Sequence, residues 1–182
     1  MIESDRRECR LLAFLLDYPD SSWRAELPEV SGLVNAVADE RRRRLLVEFL
    51  AYAEKTPPLG LQETYTSAFD LDPATSLHLT YHLMGDSEDR GKALAGLLRV
   101  YQREGYDTAT GELPDYLPMI LEFLAICPEP GDAALLRSCL GTIPILVERL
   151  AKKHHPYAVL LELAVDICNG MAITPDVAKK EV

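Results

Sequence analysis

His78 and His82, four residues apart, are the first pair in this sequence whose spacing could do chemistry. On a helix that interval puts both imidazoles on one face, where they could share a metal ion with Asp86 nearby. The run Leu77-His78-Leu79-Thr80-Tyr81-His82 lacks the Glu after the first His that a zinc protease uses as its base. One exposed His and one hydrogen-bonded His account for the pair without a metal. His154-His155 closes a Lys-bearing helix and suits the negative end of its dipole. Cys9, Cys127, Cys139 and Cys168 form no CxxC pair, and three of them stand in apolar runs. They read as reduced, core-packing side chains. Glycine-rich phosphate loops and the GxSxG nucleophile elbow are both missing. A metal-dependent enzyme built on His78 and His82 is thus the weaker, rival reading.

Binding is better supported than catalysis. Tyr65-Thr66-Ser67-Ala68-Phe69-Asp70, then Ser76 to Asp86 continuing to Arg90-Gly91, then Glu112 to Leu124 each mix large apolar groups with acids, tyrosines or prolines. Phe69 and Phe123, at helical spacing from other apolar residues, read as core. Pro114 can open a helix, with Asp115 favouring its N-terminal dipole. The functional alternative is a groove with an apolar floor and an acidic rim, suited to a basic amphipathic helix. Charge agrees: the chain carries −10 overall, and between Glu63 and Asp132 thirteen acidic residues face four basic ones. Such acidity argues against nucleic-acid binding, which depends on Lys and Arg at phosphates. The run Arg41-Arg42-Arg43-Arg44 is flanked by Asp39, Glu40 and Glu48 and reads as a solvated helix face.

The elements that must position these residues are helices. With 182 residues, 48% hydrophobic, the chain suits one domain able to bury its own core. Apolar residues recur at three- and four-residue intervals almost throughout, as in Cys9, Leu12, Ala13 and Leu16, with Ser4 placed to cap. Short helices are expected around Trp23 and from Glu29 to Ala38. Others follow over Arg41–Lys55, up to Phe69, through Leu77–Leu83, and through Leu94–Tyr101. Further helices are expected over Pro114–Cys127, over Asp132–Lys153 with Pro144 kinking or splitting it, and over His155–Asn169 with Pro156 in its first turn. The fold is expected to be all-α, a single globular domain of about eight to ten helices. A helical part over 1–104 and another over 114–170 flank a hinge-like connector at 105–113, and a short tail follows at 171–182. No stretch is long and apolar enough for a membrane span, and no signal-peptide pattern opens the chain, so a cytoplasmic protein is expected.

Together the three segments resemble the NarJ branch of the TorD-like redox-enzyme maturation chaperones. The matching residues are Tyr65, Phe69 and Asp70; Ser76-Leu77, Leu79, Tyr81-His82, Gly85-Asp86 and Arg90-Gly91; and Leu113 to Pro118 with Leu121 to Leu124. Leu15-Leu16-Asp17-Tyr18-Pro19 fits the same pattern. In related members the Pro-Asp motif is followed by His where this chain has Tyr116.

The resemblance implies a dedicated, non-catalytic assembly chaperone. Its client would be the apo catalytic subunit of respiratory nitrate reductase, gripped by a basic amphipathic N-terminal segment. It would assist insertion of molybdenum bis(pyranopterin guanine dinucleotide) and an iron–sulfur cluster before membrane docking, holding neither cofactor stably itself. A sister chaperone for a sulfoxide or N-oxide reductase is the alternative. The peptide-binding residues expected on this basis are Tyr65, Phe69, Asp70, Leu77, Tyr81, His82, Asp86, Arg90, Pro114, Asp115, Tyr116, Leu117 and Glu122. Asp115→Lys is expected to leave the protein folded and weaken peptide binding. The protein itself would be a monomer or homodimer, bind no nucleic acid, and not insert into the membrane.

Overall fold

The computed structural model describes residues 3–108, 111–127, 130 and 133–170. Among them are ten α-helices: α1 (Glu3–Leu15), α2 (Ser21–Asn35), α3 (Glu40–Lys55), α4 (Pro58–Phe69), α5 (Leu79–Met84), α6 (Glu88–Arg103), α7 (Leu117–Ile126), α8 (Ala134–Leu140), α9 (Ile143–Lys152) and α10 (Ala158–Gly170). A 3-10 turn, Pro73–Thr75, follows α4. The all-α expectation holds. Most of the chain's starts and stops follow local chemistry. The Asp20 and Asp39 carboxylates accept from the Trp23 and Arg42 N–H groups and cap α2 and α3. Asp72 likewise caps the 3-10 turn.

Several boundaries differ from expectation, each for a visible reason. The two short helices expected before residue 38 form one, α2, in which Pro28 lies on the exposed side. Trp23, Leu27, Val30 and Val34 make one continuous buried stripe there, and its packing outweighs the backbone hydrogen bond lost at proline. Ser4 lies inside α1, where its hydroxyl bonds Glu8 rather than capping. The long helix expected through Pro144 divides at Gly141-Thr142, with Pro144 in the first turn of α9. Pro156 precedes α10 instead of lying in its first turn.

The parts on either side of the connector share one core. Helix α1 packs on α7 and α10 as well as on α2, and α3 also meets α10. Arg6 of α1 donates to the carbonyls of Ala125 and Ile126, at 2.7 and 3.2 Å, satisfying the C-terminal end of α7. The Arg41–Arg44 run proves to be a rivet as well as a helix face. Arg42 reaches buried Glu8 of α1 at 2.9 Å, and Arg41 pairs with Asp166 of α10. Of the connector, residues 109 and 110 lie outside the described residues, whereas Tyr106 packs edge-on against Tyr101 and Phe123. Phe49, Tyr65, Phe69 and Tyr157 form an aromatic cluster at the centre, with ring centroids 5.0–5.6 Å apart.

Candidate functional site

The two polar motifs of the sequence meet in a short extended pairing. Leu77 and His78 do not continue a helix. They run antiparallel to Asp115-Tyr116, with Leu79 N–H donating to Asp115 O at 3.0 Å and Leu117 N–H to Leu77 O at 2.9 Å. Pro114 accordingly does not open a helix: α7 begins at Leu117 with Pro118 in its first turn. The Pro114 carbonyl accepts from the buried Tyr101 hydroxyl at 2.6 Å.

Asp115, fully buried, is the hub. One carboxylate oxygen accepts from His78 Nδ1 at 3.2 Å, so that nitrogen carries the proton. The other accepts from the Thr80 N–H at 3.1 Å and the Thr80 hydroxyl at 2.5 Å, and lies 3.6 Å from Arg90 Nη2. Asp115 therefore supplies from a distance the cap that His78, at the N-cap position of α5, does not give. Burial by itself would raise its pKa. The hydrogen bonds from His78 and Thr80, with the Arg90 charge, outweigh that and hold the carboxyl below its ordinary value. Arg90 also donates to the Thr80 hydroxyl and lies over the Tyr81 ring at 5.8 Å.

Beside this hub, half-buried Tyr116 joins α4 to the end of α1. Its hydroxyl lies 2.8 Å from that of Tyr65 and 3.1 Å from Asp17 Oδ1. Each hydroxyl has one proton, and the charged Asp17 acceptor claims that of Tyr116. Tyr65 is left to share its own between the Tyr116 oxygen and Leu16 O, which is 3.1 Å away. Burial raises the pKa of both tyrosines; nearby carboxylates of Asp17, Asp70 and Glu112 push Tyr65 in the same direction. Those three acids are exposed, as are Tyr18, which stacks edge-on against Tyr65, and Leu113. The result is an acidic collar around an aromatic patch.

The residues singled out from sequence thus divide by exposure. Tyr65, Phe69, Leu77, Pro114, Asp115 and Leu117 are buried, so in this conformation they shape the surface from below. Tyr81, His82, Arg90 and Tyr116 are half-buried, and Asp70, Asp86 and Glu122 are exposed. Glu122 is engaged at the connector by the Tyr106 hydroxyl at 3.1 Å. Asp17, Tyr18, His78, Glu112 and Leu113 complete the surface. The sequence places all five within its motifs, through the Asp17-Tyr18-Pro19 match, the His78 pair and the segment from Glu112, without marking them as surface.

The rival metal site loses its geometry. His78 lies before α5 and faces Asp115, whereas His82 Nε2–H donates to Ser76 O at 2.7 Å. No group of three metal-ligating side chains occurs among the described residues. Nor is any helix among them long and apolar enough to cross a membrane.

The family model described as nitrate reductase delta subunit matches residues 35–152, spanning both halves of this pairing. The chain belongs to that family. It is 34% identical over 176 residues to NarJ of Escherichia coli (strain K12), named a nitrate reductase molybdenum cofactor assembly chaperone. That match covers 95% of this chain and 74% of the relative. NarJ of Bacillus subtilis (strain 168), bearing the same description qualified as probable, is 32% identical over 91% of this chain and 90% of its own. A crystal structure from Archaeoglobus fulgidus, described as a redox enzyme maturation protein, shares the fold with a TM-score of 0.66 at 21% identity. It covers 90% of this chain and 93% of that one. The family is one of assembly chaperones and not of catalysts, so the delta subunit fold presents surfaces, not a reaction centre.

Proposed function

We propose that this chain is the dedicated assembly chaperone of a respiratory nitrate reductase. It binds the basic amphipathic N-terminal segment of the apo catalytic subunit in the cytoplasm. There it keeps that subunit open to the molybdenum bis(pyranopterin guanine dinucleotide) cofactor and an iron–sulfur cluster until both are loaded. The observation that carries the reading is identity of 32–34% to NarJ chaperones across nearly the whole chain. The collar of Asp17, Asp70 and Glu112 supports it physically: three exposed carboxylates around Tyr18, Tyr116 and Leu113 suit a peptide that is basic on one side and apolar on the other. Burying a few apolar side chains at about 1.5–3 kcal/mol each leaves useful affinity after association costs, while still permitting release.

Calorimetric titration with the N-terminal peptide of the catalytic subunit, at two salt concentrations, tests the proposal. One-to-one binding that weakens in part with salt is the expected result, because the collar is screened and the apolar contacts are not. Equal binding to a scrambled peptide of the same charge would sink the reading. Tighter binding to the corresponding peptide of a sulfoxide or N-oxide reductase would instead assign the chain to another client.

A further inference from the structure

Away from the collar, α1 and α2 lie antiparallel around the 16–20 turn and leave a groove of about 670 Å³ between them. Leu11, Phe14, Val30, Leu33 and Val37 give it an apolar lining. That lining is preformed. The Phe14 ring stacks on Trp23 with centroids 5.4 Å apart, and the Trp23 indole N–H donates to Phe14 O at 2.7 Å. Leu33 is nevertheless 55% exposed, an apolar side chain standing in water at the groove's edge. A preformed apolar concavity of this size is what a bound partner covers.

The rim selects the occupant. On the α1 side stand Arg7 and Arg10, on the α2 side Glu26 and Glu29, all exposed. Glu8, which also lines the groove, is already satisfied by Arg42 and Ser4. Residues equally far from the turn of a helical hairpin lie at the same level, which sets Arg10, five residues before the end of α1, level with Glu26, five residues after the start of α2. A two-fold axis running along the groove carries α1 of one copy over α2 of another without changing that level. It brings Arg10 against Glu26 of the partner subunit, twice, and turns the two apolar linings towards each other. A helix with uniformly basic edges would instead meet Arg10 on one side.

We infer that the α1–α2 face is a self-complementary surface through which two copies of this chain associate, Leu33 of each covering the other's groove. Isologous pairing requires a surface complementary to itself under a two-fold rotation, and one wall of each sign across an apolar strip meets that requirement. The inference stands apart from the client reading, since it uses none of the collar residues.

Sedimentation velocity of the full chain at low salt, from about 1 to 200 µM, tests it directly. A monomer–dimer equilibrium is expected, with no detectable dimer in Leu33→Glu, whose side chain is exposed and whose circular dichroism should be unchanged. Arg10→Glu and Glu26→Arg should each weaken association about tenfold, by placing like charges together. The double variant should recover most of that loss, because the swapped charges again face opposite signs. A chain that stays monomeric throughout overturns the inference and leaves the groove to a helix of another protein. Association that Leu33→Glu does not change overturns it equally, since the dimer would then form elsewhere.

Discussion

Asp115 and Thr80, 35 residues apart, make two hydrogen bonds: the carboxylate accepts both the backbone N–H and the hydroxyl of Thr80 at the start of α5. A buried carboxylate in that position does three things at once. It caps a short helix, holds the extended pairing in register, and neutralises Arg90. The Pro-Asp motif is therefore an internal clip beneath the acidic collar.

Asp115→Asn keeps the shape but loses the charge that pairs with Arg90 and caps α5. We expect a folded protein destabilised by about 2–3 kcal/mol, read from the urea midpoint at constant m-value. Asp115→Lys, which sequence alone suggests as a binding probe, buries an ammonium beside Arg90. The expected outcome there is loss of cooperative folding, so it cannot report on binding.

The same carboxylate sets a pH window. Its folded pKa lies below the ordinary value, so its contribution is fully present above about pH 5 and is lost as pH falls through about 3.9 towards the lowered value. The stability gap between wild type and Asp115→Asn should be constant near neutrality and narrow below about pH 4. A gap that widens on acidification would show that the native carboxyl is protonated instead. His82, held below its ordinary pKa by burial, is present in both proteins.

Tyr157 offers the opposite case. Its ring is central to the aromatic cluster, but its hydroxyl is buried with no hydrogen-bond partner among the described residues. Tyr157→Phe removes that unpaired group and keeps the ring contacts. It should raise stability by about 1 kcal/mol, visible as a higher Tm by calorimetry.

Client binding should depend on the collar and not on the clip. Asp17→Asn, Asp70→Asn and Glu112→Gln together should weaken peptide binding about tenfold at low salt and far less at high salt. Losses in Tm should be small, since Asp70 and Glu112 are exposed and only Asp17 accepts the Tyr116 hydroxyl. Unchanged affinity at low salt would place the peptide elsewhere.

Thiol chemistry checks the core. Burial pushes Cys139 and Cys168 up to about 12, and Cys9 further in the same direction. Cys9 and Cys139, both fully buried, should react with a disulfide reagent at pH 8 only after urea unfolding. Rapid reaction of either in the native protein would mean that α1 or α8 opens readily.

How much of this was legible beforehand follows from the range of the forces involved. Helical periodicity and the proline breaks are local, and they sufficed for an all-α fold with most helices near their true places. Motif spacing likewise pointed to the family. What spacing could not reveal is which side of a motif faces water. Asp115 and Asp70 look alike in sequence, yet one is fully buried and the other is exposed. The difference comes from His78, Thr80 and Arg90, which reach Asp115 only when the chain has closed on itself. Pro114 and Leu77 stand where the local pattern begins a helix, and the long-range pairing of Leu77-His78 with Asp115-Tyr116 overrode it. The α1–α2 groove was invisible for the same reason: a concavity belongs to two helices at once, and neither Leu33 nor Glu29 signals it alone. The helices follow from contacts a turn apart; tertiary packing decided which of their polar groups became structure and which were left as surface.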